Sequence, residues 1–225
     1  MSEEGKGTAA SFIEKWRSRW PEWNVAEVFV PAARRPAVDA WFTLLQELYE
    51  AAWGGSDPTP GLAKLAWWHE ELEGWEKGAR RHPLGEVLQR QPAPWSRLGR
   101  ALNVLPGTRG QPAAEAAAAL AGLGSAVWAC DAALVAEDGR EPAAPANADA
   151  PAVVLLGERA LLAGADADTA WLLEHWPSRL PAAHVRRIHA ALLRARLGAL
   201  SRGQEPAALP GWRVLAMSWR AARSG

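Results

Sequence analysis

Pro36-Ala-Val-Asp-Ala-Trp-Phe-Thr-Leu-Leu-Gln-Glu-Leu-Tyr-Glu-Ala-Ala52 decides the fold class. Val38, Trp41, Phe42, Leu45, Leu48, Tyr49 and Ala52 recur every three or four residues, which is the period of one face of an α-helix. Pro36 suits the first turn, where a missing N–H breaks no helical bond. Gly54-Gly55-Ser56-Asp57-Pro58 ends the pattern.

The same period continues on both sides. Toward the N-terminus, residues 9–20 read as a helix carrying Phe12, Ile13, Trp16 and Trp20, stopped by Pro21. Residues 21–35 read as a connector with one short apolar run, Val28-Phe29-Val30-Pro31. Toward the C-terminus, a third helix starts near Thr59-Pro60 and carries Leu62, Leu65, Trp68, Leu72 and Trp75, closing over 78–83. Shorter helices follow at 84–91 and 94–104, then a loop at 106–112. A long Ala-rich helix spans 113–135. Gly122 and Gly124 inside it mark a bend or close helix packing, since glycine costs helix propensity.

Residues 137–151 read as a flexible linker, with three prolines and few large apolar residues. Helices at 152–164, 168–176, 181–202 and 209–222 complete the chain, and Asp168 reads as an N-cap. In the third of these, Val185, Ile188, Leu192, Ala195 and Ala199 form the inner stripe. Arg186, Arg187, Arg194 and Arg196 fall mostly off it and read as a solvated face. No window beyond Val28–Val30 alternates in the manner of a strand, and no internal repeat is present. The expectation is a single all-α domain over 1–225, with roughly nine helices around one core.

Composition limits the function classes. Lys+Arg and Asp+Glu balance at 25 each, so there is no net electrostatic pull toward nucleic acid or anionic membrane. The one cysteine, Cys130, excludes an internal disulfide and a cysteine zinc site, and its Ala-rich surroundings predict a buried, inert thiol. The N-terminus has no secretory pattern and no uninterrupted apolar run suggests a transmembrane segment, so a cytoplasmic protein is expected, with peripheral membrane contact open. Fourteen tryptophans stand against one Tyr and three Phe. That many indoles can build a core, line an apolar pocket or form an adhesive surface.

Nucleophilic and dinucleotide chemistry find no pattern. There is no Gly-x-Ser-x-Gly elbow, and Gly122-Leu-Gly124 lies inside a helix with no preceding strand. Glu70, Glu71, Glu73 and Glu76 around Trp67-Trp68 read as a solvated helix face. His82 before Pro83 reads as ordering a helix start, and His189 as a core histidine with its hydrogen bonds satisfied.

Three segments resemble the squalene/phytoene synthase family. They are Ala26-Glu-Val-Phe-Val-Pro-Ala-Ala-Arg-Arg35 with the helix after it; Lys64-Leu-Ala-Trp-Trp-His-Glu-Glu-Leu72 followed by Arg81-His82-Pro83-Leu84; and the Arg-rich helix 181–202 with Trp212-Arg-Val-Leu-Ala-Met-Ser-Trp-Arg220. The Trp-Trp and His-Pro pairing is the most specific. Together they touch about half the chain. The resemblance implies an isoprenoid-synthase-like helical bundle. It also implies two aspartate-rich motifs that bind prenyl diphosphates through Mg²⁺, because carboxylates at i and i+4 share one helix face.

This chain departs from that pattern. Aligned on Trp41-Phe42, the first motif places Glu47, Leu48 and Ala51 where the family has acids, with Glu50 three residues after Glu47. A second motif is not found: Asp131 has Val135 at i+4. The expectation is therefore a pseudoenzyme without metal or cofactor, binding a prenyl or lipid chain or a protein partner. Trp41, Leu48, Ala51, Trp67, Trp68 and Trp75 are its candidate pocket residues. The alternative is an active prenyltransferase that uses Mg²⁺ with Glu47 and Glu50 as catalytic candidates.

Overall fold

In the computed structural model, which describes residues 7–135, 149–164, 168–205 and 208–224, the chain forms eleven α-helices. They are α1 (Ala9–Arg19), α2 (Trp23–Ala26), α3 (Arg35–Trp53), α4 (Thr59–Glu76), α5 (Gly85–Leu88), α6 (Trp95–Ala101), α7 (Ala113–Val135), α8 (Asp149–Ala163), α9 (Asp168–Glu174), α10 (His184–Leu200) and α11 (Gly211–Arg223). Three 3₁₀ turns, Glu27–Phe29, Ala32–Arg34 and Leu102–Thr108, fill gaps between them. No strand forms among the described residues, so the all-α expectation holds.

The ends of these helices follow from local chemistry. The N–H of Ser11 donates to the Thr8 hydroxyl (3.2 Å) and opens α1. Gly78, at φ +83°, closes α4: its N–H bonds the Trp75 carbonyl and that of Ala79 the Gly74 carbonyl. That pair of bonds satisfies two carbonyls that helix ends leave free. The guanidinium of Arg109 donates to the carbonyls of Ala52 and Gly54 (3.1 Å each) and of Gly55, which covers the C-terminal end of α3.

Several boundaries differ from the sequence reading. The 21–35 connector is largely helical, because Trp23 and Ala26 bury fully and pull α2 onto the core. The helix expected at 84–91 is a single turn, since Pro92 and Pro94 follow closely. Most of the 137–151 linker lies outside the described residues. Its last part, 149–151, is instead the first turn of α8, a place where Pro151 is tolerated.

Helix α3 runs through the middle, against α1, α4, α5, α7 and α8. It is buried on nearly every side: even Asp39, Thr43, Gln46 and Glu47 are covered. A helix with neighbours all round is the centre of a bundle. Around it α4 pairs with α6, α7 with α8, and α10 with α8 and α11. Helix α7 is long and apolar enough to cross a membrane by length and composition. Here it packs against α6 and α8, with a buried Asp131 near its end. Burial pushes the thiol of Cys130 well above its ordinary range, as the inert-thiol reading expected.

The two glycines of α7 separate cleanly. A Cβ on Gly124 would lie 2.5 Å from Cβ of Pro151, so α8 crosses α7 at this point, whereas one on Gly122 would meet open space. Gly124→Ala is expected to destabilise the fold by about 1–3 kcal/mol through overpacking, and Gly122→Ala to stabilise it by up to about 1 kcal/mol. Urea unfolding of the two variants checks both signs.

Candidate functional site

The acids singled out on α3 lie on its flank against α1 and α4. Glu47 pairs with Lys64 (2.6 Å) and Lys15 (3.4 Å). Glu50 pairs with Arg19 (2.6 Å) and Lys15 (2.9 Å), and accepts a bond from Gln46. Burial works against the ionised Glu50 carboxylate, but Lys15, Gln46 and Arg19 hold its pKa below the ordinary range. Both acids are neutralised by cations of this chain.

Trp41 points the other way, into a run of interlocked rings. Its ring centroid lies 5.9 Å from that of Trp95, Trp95 lies 5.1 Å from Trp75, and Trp75 lies 6.5 Å from Trp68. Trp68 then meets Trp67 (5.1 Å) and His82 (4.6 Å). Leu48 and Ala51 are buried in the same core. Trp41, Leu48, Ala51, Trp67, Trp68 and Trp75 line neither of the two cavities described below. Ten of the fourteen tryptophans are buried, so core packing takes most of them.

Glu71 corrects the reading of the α4 acids as a solvated face. It is buried and accepts from Trp75 Nε1 (2.9 Å), from the backbone N–H of Arg81 (2.7 Å) and His82 (2.8 Å), and from Arg81 Nε (3.0 Å). Burial pushes its pKa up, but these donors outweigh it and the pKa falls. His82 Nδ1 in turn accepts from the N–H of Leu84 (3.2 Å), ordering the entry to α5.

A second buried cluster sits where α3, α7, α8 and α10 meet. Asp131 accepts from Arg186 Nε and Nη2 (2.8 Å each) and from Trp41 Nε1 (2.6 Å). Beside it lie Tyr49, Glu158 and His189, all buried, around a cavity of about 10 Å³. That volume is about one water. Desolvation pushes the Glu158 carboxyl up to about 7, against the opposing pull of Arg186 and Arg196. Burial, then Arg186 and Arg196, push His189 well below the usual histidine range. Neither ring nitrogen of His189 has a hydrogen bond, and Glu158 Oε1 is 3.4 Å from Nδ1 without bonding geometry. His189 is thus a core histidine, but an unsatisfied one, held by its stack on Phe42 (4.5 Å, 16°) and by Trp20 (4.3 Å).

The arginines of α10 are not a solvated face. Arg186 is buried in the cluster just described. Arg187 donates to the carbonyls of Ala182 (2.5 Å), Ala221 (2.8 Å) and Ala222 (2.7 Å), tying α10 to the end of α11. Arg196 grips the buried Glu22 (2.5 Å) and lies over the ring of Trp20 (4.1 Å). Of the four, only Arg194 is exposed. Asp168, read as an N-cap of its own helix, directs its carboxylate to Arg159 (2.7 Å) and the N–H of Ala113 (3.1 Å) at the start of α7.

An open groove of about 760 Å³ lies between the 176–180 segment, α10 and α11. Trp176, Leu173, Leu180, Ala195, Leu209 and Met217 make its walls apolar. Arg187, Arg194, Arg202, Arg213 and Arg220 also line it, with Glu205 as the one acid among its lining residues. No acidic partner of Arg194, Arg213 or Arg220 is found among the described residues. The volume suits a lipid-sized ligand, and guanidinium groups suit phosphate or carboxylate oxygens. Among the described residues no group of three or more His, Cys, Asp or Glu is placed to hold a metal ion.

Sequence reasoning missed Asp131, Glu158 and Arg186. A signal existed: Asp131 and Glu158 are lone acids inside apolar helical runs, and such acids are buried only with a partner. Asp131→Ala is expected to cost about 3–5 kcal/mol, because it strands Arg186 in the core. The double variant Asp131→Leu/Arg186→Met is expected to cost less, a comparison that denaturant unfolding makes directly. For Glu158, the folded pKa of about 7 stands above the ordinary 4.5. The stability this group contributes is complete below about pH 4.5 and is lost as pH rises through 7. Unfolding of wild type and Glu158→Gln across that range is expected to favour the variant increasingly, by about 3 kcal/mol at pH 8.

Compared with family models, curated proteins and solved structures, this chain matches none.

Proposed function

We propose that this chain is a non-catalytic relative of the squalene/phytoene synthases that holds an anionic amphiphile, a prenyl diphosphate or a similar lipid, in the groove between α10 and α11. The observation that carries this reading is the combination of apolar walls and acid-free arginines in the groove, in a protein whose interior is closed by tryptophan. A hydrocarbon tail would lie along Trp176, Leu180 and Met217, while Arg194, Arg213 and Arg220 would meet the charged head. The likeness of Trp67-Trp68 and His82-Pro83 to the family supports the descent, at the level of analogy.

The residues present do not fit the Mg²⁺ site of the catalytic alternative. Glu47 and Glu50 already face Lys15, Lys64 and Arg19, and no third acid or histidine joins them among the described residues. Bringing a divalent cation there would set it against three cations of the chain itself. Of the inward carboxylates, Asp131 is held by Arg186 and Trp41, and Glu158 lines a cavity too small for a prenyl chain.

Incubation with farnesyl or geranylgeranyl diphosphate, with and without Mg²⁺, tests the proposal. A rise in melting temperature that does not need Mg²⁺, with no new product, is expected. A ligand at 100 times its Kd adds about 2.7 kcal/mol. Arg194→Glu/Arg213→Glu is expected to remove the rise. Formation of a condensed hydrocarbon overturns the reading in favour of a prenyltransferase, and the absence of any shift overturns it in favour of a protein partner.

A further inference from the structure

Helix α11 presents three different faces. Val214, Ser218 and Ala221 are buried against the protein. Arg213, Met217 and Arg220 line the groove. The third face carries Trp212 (72% exposed), Leu215 (43%) and Trp219 (51%), at the i, i+3, i+7 spacing of one helical side. The described residues include only five large hydrophobic side chains this exposed, and three of them are on this face. A fourth, Val28, sits on the Glu27–Phe29 turn, which packs against α11. The contrast with the other indoles is sharp, since ten are buried and Trp67 and Trp171 are half-buried.

Charge distinguishes this face further. Helix α11 contains Arg213, Arg220 and Arg223 and no acidic residue. Arg223 lies over the ring of Trp219 (5.0 Å), and neither Arg213 nor Arg220 has an acidic partner among the described residues. Over 184–224 the sequence holds eight arginines against the single acid Glu205, although the whole chain is neutral.

We propose that α11 is a membrane-docking helix that seats this chain on the surface of an anionic lipid bilayer. Trp212, Leu215 and Trp219 enter the headgroup region, where an indole keeps its ring in apolar surroundings and its N–H in polar ones. Arg213, Arg220 and Arg223 flank them and meet lipid phosphates. The helix lies flat: at 13 residues it is too short to span a bilayer, and its inner face is held by the protein. A second copy of the chain is a poor occupant. Two copies joined through this face would set the same three arginines against each other with no acid on the helix to neutralise them. The inference does not require the groove ligand.

Flotation of the full chain with vesicles tests this. Binding is expected to equal parts phosphatidylcholine and phosphatidylglycerol, and not to phosphatidylcholine alone, with loss in high salt. The variant Trp212→Ala/Trp219→Ala is expected to bind anionic vesicles about tenfold more weakly or worse, and Arg220→Glu/Arg223→Glu likewise. Because both indoles are exposed, the tryptophan variant should keep the wild-type melting temperature. It should also keep any shift with farnesyl diphosphate in vesicle-free buffer, since neither indole lines the groove; this separates a failure of docking from a failure of the groove reading. The proposal is overturned if wild type fails to float with anionic vesicles, if neutral vesicles are bound as well, or if both variants bind like wild type. It is equally overturned if sedimentation shows a dimer that the tryptophan variant abolishes while no vesicle is bound.

Discussion

Asp131 is a single carboxylate near the end of a long apolar helix, and it has no access to water. Removing such a charge from water costs several kcal/mol unless a cation and good hydrogen bonds replace the solvent. Arg186 supplies two of those bonds from α10 and Trp41 a third from α3. The clamp therefore requires three helices, distant in sequence, to meet at one point. Once Arg186 is placed, its field reaches Glu158, Tyr49 and His189. The same guanidinium lies 4.8 Å over Phe42, the ring on which His189 stacks. His189 is thus kept neutral by its position beside a buried cation as well as by its own burial.

Four of the buried tryptophans meet a related constraint, whereas Nε1 of Trp68 and of Trp95 is buried without a partner. Each buried indole brings a large apolar ring and one N–H that seeks an acceptor. Asp39 accepts from Trp23 (3.0 Å), Asp131 from Trp41, Glu71 from Trp75, and the Thr108 hydroxyl from Trp53 (3.1 Å). Several of the buried acids are there to serve indoles and arginines. Asp39, Glu71 and Asp131 are closed in by the rings they support. Beside that filled interior, the groove of about 760 Å³ lies at the surface between α10 and α11.

Electrical neutrality of the whole chain hides a local separation. Asp39, Glu47 and Glu50 of α3 meet Arg17, Lys15 and Arg19 of α1 and Lys64 of α4, while 184–224 holds eight arginines and the single acid Glu205. The arginines of that part have three distinct tasks. Arg186 and Arg196 neutralise buried acids, Arg187 covers helix-end carbonyls, and Arg194, Arg213 and Arg220 stand free of acids at the groove.

The periodicity of 36–52 and of its neighbours determined by itself that the chain is helical, and it located α1, α3, α4, α7, α10 and α11 to within a few residues. The reason is that one face of each repeats every three or four positions. The burial of Cys130 was also legible from its Ala-rich helix, whereas the indoles left core, pocket and surface open until the fold placed ten of them inside. Only the tertiary structure decided which charges are inside. An Arg on α10 looks the same in the sequence whether it meets water or Asp131, since the partners are 55 residues apart. Likewise, Trp41 and Trp212 are the same residue type on amphipathic helices. One is buried and the other 72% exposed because α3 has neighbours on all sides and α11 only on one. Periodicity records which residues share a face, and burial depends on what that face meets.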